Sequence, residues 1–180
     1  MEGVVSILSE PFYGKVESIW KDVDEACGLK SVKATDIPHF SWHLAESYHE
    51  QDLASILEEV CAVTQPFSVR TAGLGMFTAE KCVLYISLVT DQRLLEVHKR
   101  LWERLKGVGE NPSPYYAPGM WVPHITLAHE DLGEAELSCA VRCLACKVIL
   151  WEIPVDHLAV ISEAGVEDGK GLLRFPFGGR

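Results

Sequence analysis

The chain has 180 residues, of which 48% are hydrophobic and 23% are charged, and its formal net charge is −10. These proportions are typical of a globular protein and exclude an intrinsically disordered chain. The acidic balance argues against tight nonspecific binding to long nucleic acid, because that affinity comes from many Lys and Arg contacts to phosphates. A short nucleotide or an RNA terminus stays possible as a substrate.

The apolar runs are far shorter than the roughly 20 residues of a membrane-spanning helix, and the N-terminal segment does not resemble a signal peptide. We therefore expect a soluble, cytoplasmic monomer with no membrane partner. Cys143 and Cys146 lack a second ligand pair at metal-binding spacing, so we expect no metal and no cofactor. In a cytoplasmic protein cysteines are reduced thiols, which is our expectation for Cys27, Cys61, Cys82, Cys139, Cys143 and Cys146.

Strand and helix patterns alternate along the first half of the chain. Short β-branched or apolar runs predict buried strands, and apolar residues spaced by three and four predict amphipathic helices. A link at Gly75–Lys81, rich in turn and polar residues, predicts a hairpin. The predicted elements are a strand at Gly3–Leu8, a helix at Phe12–Cys27 ended by Gly28, a strand at Ile37–Leu44, a helix at Asp52–Val63, strands at Phe67–Leu74 and Val83–Val89, and a helix at Leu94–Leu105.

A loop at Gly107–Gly119 separates this half from a second one. Two passages, Ile37–Val63 and Val122–Cys146, share the same order of strand then helix, which indicates an internal duplication. We therefore predict that residues 1–180 form a single bilobal domain. The elements predicted in the second half are a strand at Trp121–Ala128, a helix at Leu132–Cys146, and closing strands at Val148–Trp151, Val155–Ser162 and Gly171–Phe175.

A histidine and a hydroxyl residue recur at the start of one strand in each half. The sequences are Ile37-Pro38-His39-Phe40-Ser41 and Val122-Pro123-His124-Ile125-Thr126. Because side chains alternate along a strand, residues two apart project from the same face. Each lobe therefore contributes one imidazole and one hydroxyl, and a two-fold relation between the lobes would bring both pairs to one cleft.

These four side chains suit chemistry at a phosphodiester. One group must take a proton from the attacking oxygen and another must give a proton to the leaving oxygen, and imidazole can do either near neutral pH. We therefore predict that His39 and His124 are catalytic. Ser41 and Thr126 can donate hydrogen bonds to the nonbridging phosphate oxygens, which requires no metal.

The repeated Pro-His-x-Ser/Thr resembles the 2H phosphoesterase superfamily, also called the 2′-5′ RNA ligase-like or cyclic phosphodiesterase group. The resemblance covers nearly the whole chain, although Ser41 replaces the commoner Thr and Trp42 stands where an aliphatic residue is usual. It implies an α+β, bilobal fold with two antiparallel β-sheets around a central cleft, helices on the outside and a pseudo-two-fold internal duplication. It also implies hydrolysis of 2′,3′-cyclic phosphates or related 2′-5′ phosphodiester chemistry on a small nucleotide or RNA-terminus substrate.

Other functions stay open from the sequence alone. The same fold could bind a nucleotide or an RNA end without catalysis, or it could act as an RNA 2′-5′ ligase. The substrate could also be a cyclic phosphate on ADP-ribose or a 2′-5′ linked oligoadenylate. A structural protein would require that the two His-x-Ser/Thr pairs do not converge in space.

Several nearby side chains are further candidates for the pocket. His43 shares the predicted strand face of His39, and it either lines the pocket or is a buried polar residue. Tyr115 and Tyr116 precede the second motif and could contact a base or a phosphate, and Phe77 could approach the cleft from the hairpin link. His129 is expected at the surface, beyond the end of its strand.

Overall fold

The computed structural model describes residues 1–29, 37–78, 82–129, 132–162 and 172–178. Helices α1 to α4 span Phe12–Cys27, Glu50–Val63, Gln92–Leu105 and Glu134–Leu144, and a short 3-10 helix spans Pro114–Tyr116. Strands β1 to β10 span Glu2–Ile7, His39–Ala45, Ser47–Tyr48, Phe67–Phe77, Val83–Leu88, Gly109–Glu110, His124–Ala128, Glu152–Val155, His157–Ser162 and Arg174–Pro176. None of the helices in this described part is long and apolar enough to cross a membrane.

The predicted helices are confirmed, and the first has the predicted bounds. Gly28 ends α1 in the left-handed conformation, at φ 68°, and its N–H donates to the Asp24 carbonyl at 2.8 Å. A residue without a Cβ adopts this conformation at little cost, which is why a glycine at this position indicates a helix end.

The predicted strand at Val148–Trp151 is wrong, because the chain enters the sheet only at Glu152. Val148 and Leu150 are 80% and 77% exposed and pair with no strand. The hairpin also differs from the prediction, since β4 continues to Phe77, opposite Val83. Residues 79–81 of the predicted link lie outside the described residues, and so does residue 171, the first of the last predicted strand.

Two four-stranded antiparallel sheets form the framework of the α+β fold. One has the order β10-β9-β1-β2 and the other has the order β7-β5-β4-β8. The two histidine strands, β2 and β7, are therefore edge strands of different sheets, and they face each other across a central cleft. A third, two-stranded sheet pairs β3 with β6.

The pseudo-two-fold relation extends to the hydrogen bonds at the start of each histidine strand. The Pro38 carbonyl accepts from the Leu8 N–H at 2.9 Å, just after β1. The Pro123 carbonyl accepts from the Leu88 N–H at 3.1 Å, at the end of β5. Because proline has no N–H to donate, it suits the first position of an edge strand, and both lobes use it in this way.

The helices on the outside join the two lobes. Helix α1 lies between β1 and β2 in the sequence, yet it packs against α4 and against β7 of the other sheet. Helix α3 likewise packs against α2 and β2. The indole N–H of Trp20, on α1, donates to the Thr126 carbonyl at 3.2 Å. One hydrophobic core therefore includes residues of both sheets, among them Phe40 and Ile125.

A disulfide corrects the expectation that all cysteines are reduced. Cys27 on α1 and Cys139 on α4 are bonded, because the packing of the two helices brings their Cα atoms to 5.8 Å. Cys61, Cys143 and Cys146 are free thiols. No local pattern indicates this pairing, since the two residues are 112 positions apart.

We expect the disulfide to contribute substantially to the free energy of unfolding. Closing a loop of this length restricts the unfolded chain by about 4 kcal/mol in the chain-entropy account. The double variant Cys27→Ser, Cys139→Ser should therefore be about 3–5 kcal/mol less stable than the wild type in guanidinium titrations without reductant. With dithiothreitol the two proteins should unfold together. Equal midpoints without reductant would contradict the pairing.

Candidate active site

A β-bulge in each histidine strand decides which side chains reach the cleft. In β2, Ser41 lies opposite Val5 and His43 lies opposite Val4, so Trp42 is an extra residue. In β7, Thr126 and Ala128 lie opposite consecutive residues of β5, so Leu127 is extra. An extra residue reverses the alternation of faces beyond it.

The bulge removes His43 from the cleft. Its side chain is fully buried on the core side of β2, where it packs against the Trp102 ring and bonds the Tyr48 hydroxyl through Nδ1. Burial lowers the pKa of His43 to about 4. Of the two alternatives for His43, the buried polar residue is confirmed and the pocket position is wrong. The residue that takes the cleft-facing position is Leu44.

His39 and His124 have the same local geometry. The Nδ1–H of His39 donates to the Ile37 carbonyl at 2.7 Å, and the Nδ1–H of His124 donates to the Val122 carbonyl at 2.7 Å. A hydrogen bond to a carbonyl places the proton on Nδ1, so Nε2 of each neutral ring can accept a proton. The two histidines of the repeated motif therefore have the same neutral tautomer, with the proton on Nδ1.

The electrostatic surroundings of the two imidazoles are also alike. Burial lowers the pKa of His39, and the nearby His124 lowers it further, against the opposite effect of the bond to Ile37. Burial likewise lowers the pKa of His124, against the effect of the bond to Val122. The interaction between the two rings means that they share one site, where a charge on one disfavours a charge on the other.

A cavity of about 210 Å³ lies between the two histidine strands. His39, Ser41 and Thr126 line it, whereas His124 lies beside it. No Lys or Arg side chain lines the cavity among the described residues. Nor does the described part of the chain contain a cluster of His, Cys, Asp or Glu that could hold a metal ion. Hydroxyls and imidazoles line the cavity, and Met1 and Glu2 line it as well.

The two tyrosines before β7 point to different surroundings. Tyr116 lines the cavity, and its hydroxyl lies beside the Ser41 side chain. Burial raises the pKa of Tyr116, so its hydroxyl stays protonated and able to donate. Tyr115 is 74% exposed and lies outside the cavity. The expectation of a pocket position is therefore wrong for Tyr115, because the 3-10 turn directs the neighbouring side chains apart.

Aromatic rings of β4 and β5 contact His124. The Phe77 ring meets the imidazole edge-on at a centroid distance of 5.0 Å, and the Tyr85 ring lies at the same distance. Phe77 is therefore a neighbour of His124 rather than part of the cavity wall. Gly75, opposite Tyr85 in the sheet, leaves room for the Tyr85 ring, since a Cβ there would come within 2.3 Å of it.

We expect Gly75→Ala to impair catalysis through His124. The added Cβ must displace the Tyr85 ring, which packs against His124, and a misplacement of about 1 Å can cost about 10²-fold in rate. Steady-state kinetics of the variant should show a lower kcat with a folded protein by circular dichroism. Gly107→Ala is the control, because nothing lies within 4 Å of a Cβ there. Equal kcat for Gly75→Ala and wild type would contradict a role for the Tyr85 contact.

The sequence reasoning missed other cavity residues. His129 lines the cavity because the bulge at Leu127 turns it to the cleft side, so its expected surface position is wrong. Trp20 lines it from α1. Trp121, just outside, donates its indole N–H to the Ser41 carbonyl at 3.0 Å. Leu44 is five residues after His39, and His129 is five residues after His124. This equal spacing is the one sequence signal that relates the two bulged strands.

Comparisons with known proteins agree with this architecture. The family model of the 2′-5′ RNA ligase superfamily matches residues 11–167. The structure of TT0787 from Thermus thermophilus is similar at a TM-score of 0.64 and 19% identity, over 99% of this chain and 98% of that one. A search among curated protein sequences found no match.

Structures of Usb1 from Kluyveromyces marxianus share the fold at lower similarity. The TM-scores are 0.50 and, with uridine monophosphate bound, 0.52, at 9% and 10% identity. Each comparison covers 98% of this chain and 97% of the other. Because the family model matches most of the sequence and the fold agrees, the chain belongs to the 2′-5′ RNA ligase superfamily, the group of 2H phosphoesterases.

Proposed function

We propose that the protein is a metal-independent phosphodiesterase that acts on a 2′,3′-cyclic phosphate, an RNA end or a related 2′-5′ phosphodiester. The observation that supports it most is the pair of matched His-x-Ser/Thr strands, with both imidazoles bonded at Nδ1 and three of the four side chains in one cavity. The Usb1 structure with uridine monophosphate shows a nucleotide in a protein of this fold, which favours a small nucleotide substrate. A monomeric state and a cytoplasmic location stay predictions.

In the proposed reaction one histidine is the base, the other is the acid, and the two hydroxyls bind the phosphate oxygens. The unprotonated Nε2 of one histidine takes a proton from a water molecule as its oxygen attacks phosphorus. The protonated Nε2 of the other gives its proton to the ribose oxygen as the P–O bond breaks. The hydroxyls of Ser41 and Thr126 donate hydrogen bonds to the nonbridging oxygens, where negative charge is held in the transition state. The base then gives its proton to solvent and the acid takes one from solvent, which restores the starting protonation of both histidines.

Turnover of a cyclic nucleotide tests this function. The protein, dialysed against EDTA, is incubated with each of the four nucleoside 2′,3′-cyclic phosphates, and the product is identified by phosphorus NMR. We expect hydrolysis to a single monophosphate isomer at a rate that EDTA leaves unchanged. The double variant His39→Ala, His124→Ala is the control for contaminating activity. Binding without turnover across this panel and across 2′-5′ linked dinucleotides would contradict the proposal and favour a binding module.

The lowered pKa values predict an acidic pH optimum. Catalysis requires one imidazole neutral and the other protonated, and this form is most abundant between the two pKa values of the free enzyme. Burial places both below the ordinary value of about 6.5. As pH rises above 6.5, the acid loses its proton and kcat/KM should fall. A profile measured from pH 4 to 9 should peak below 6.5, and a maximum above pH 8 would contradict this assignment.

A further inference from the structure

One buried histidine has no part in the proposed reaction, yet it contacts the residues that hold Ser41. His98 lies on α3 and is 1% exposed. Its Nε2–H donates to the Tyr116 carbonyl at 2.9 Å. Its ring stacks on Trp121, with the centroids 3.9 Å apart and the planes 6° from parallel.

Tyr116 and Trp121 converge on Ser41 from the other side. The Tyr116 hydroxyl lies beside the Ser41 side chain, and the Trp121 indole N–H donates to the Ser41 carbonyl at 3.0 Å. His98 therefore reaches Ser41 along two separate routes, one through each aromatic residue. Neither route includes His39.

Ser41 needs such support more than Thr126 does. A threonine is β-branched, which restricts its χ1 rotamers, whereas a serine hydroxyl moves more freely among its rotamers. A freely moving hydroxyl would meet the phosphate in the right orientation only part of the time. The Tyr116 hydroxyl beside it restricts this motion at the lobe where the motif has Ser41 instead of threonine.

His98 is one of the anchors of the segment that carries the two aromatic residues. The Tyr116 N–H donates to Ser113 and the Trp121 N–H donates to Ala117, whereas the Ser113 N–H donates to the Leu44 carbonyl and Trp121 stacks on Trp42. The side chain of His98 connects this segment to α3. A ring that both stacks on an indole and donates a hydrogen bond is required, and neither Phe nor Gln offers both.

We propose that His98 is a positioning residue, which holds the Ser41 hydroxyl at the phosphate through Tyr116 and Trp121. This inference rests on the proposed function. It predicts that His98 and Ser41 act as a unit, so that the loss of one makes the loss of the other nearly silent.

A double-mutant cycle tests the coupling. His98→Phe should lower kcat/KM by about 10-fold in the wild-type background, because the loosened hydroxyl is misplaced part of the time. In the Ser41→Ala background the same change should cost less than about 2-fold. Equal losses in both backgrounds would overturn the proposal. Circular dichroism checks folding, and His98→Gln replaces His98→Phe in the cycle if the latter does not fold.

Thr71→Val is the control for this cycle. The Thr71 hydroxyl is buried and donates to the Ile149 carbonyl at 2.8 Å, and Thr71 does not line the cavity. Its effect should therefore be additive with that of Ser41→Ala. Running the cycle on the Kd of adenosine 2′-monophosphate, by calorimetry, requires no turnover. Additive binding energies for His98 and Ser41 would overturn the positioning role even in a protein that hydrolyses nothing, a result distinct from failure of the phosphodiesterase proposal.

Discussion

Replacing either motif histidine by alanine should reduce kcat/KM for a nucleoside 2′,3′-cyclic phosphate by about 10²- to 10⁴-fold, the usual contribution of a positioned acid or base. Burial lowers the pKa of both His39 and His124. One must act as the base while the other acts as the acid, so the loss of either removes one of the two proton transfers. The pH profile should also change. Loss of the base should abolish the acidic limb, and loss of the acid should abolish the alkaline limb.

These variants should leave the fold intact. Each loses one hydrogen bond between a side chain and the backbone, worth about 1 kcal/mol, so the unfolding midpoint should shift little. His49→Ala is a suitable control, because His49 is exposed at the start of α2, away from the cleft. Near-normal turnover by either cleft variant would rule out acid–base catalysis by that histidine. The comparison of the two limbs would assign the base and the acid.

Removing either motif hydroxyl should lower kcat by about 10²-fold, with a smaller change in KM. Ser41→Ala and Thr126→Val each delete one donor to the nonbridging oxygens, and the loss of a single donor of this kind costs about 10²- to 10³-fold. Thr126→Ser, which retains the hydroxyl, should keep most of the activity. The steady-state constants kcat and KM are measured for all three variants.

Thr71→Val is the matched control for the hydroxyl variants. The Thr71 hydroxyl is buried and donates to the Ile149 carbonyl at 2.8 Å, far from the cavity. Its loss should lower the free energy of unfolding by about 1–3 kcal/mol, since the carbonyl loses a buried partner, and should leave kcat unchanged. If Ser41→Ala and Thr126→Val both kept kcat within about 3-fold of wild type, the hydroxyls would have no part in transition-state stabilisation.

The sequence predicted the helices and the two histidine strands because those features depend on local patterns. The 3.6-residue periodicity of α1 and the stop at Gly28 lie within one segment, and so does the two-residue spacing of His39 and Ser41. The match between the two motifs came from comparing two such segments. No tertiary information was needed for any of these.

The errors arose where the tertiary structure overrides a local pattern. A bulge reverses which face a side chain takes, and nothing in the sequence marks Trp42 or Leu127 as the extra residue. The position of His43 therefore stayed open between pocket and core, and His129 was assigned to the wrong side. The Cys27–Cys139 bond depends on how α1 packs against α4. The support of Ser41 by His98 joins three separate segments, which periodicity cannot relate.

The arrangement of both motifs around one phosphate is most directly tested by a crystal structure with adenosine 2′-monophosphate. We expect the phosphate in the cleft, with Nε2 of His39 and Nε2 of His124 on opposite sides of phosphorus, each within about 3.2 Å of a phosphate oxygen. The hydroxyls of Ser41 and Thr126 should donate to the remaining oxygens. A phosphate bound by one motif alone, or bound outside the cleft, would contradict a shared catalytic site.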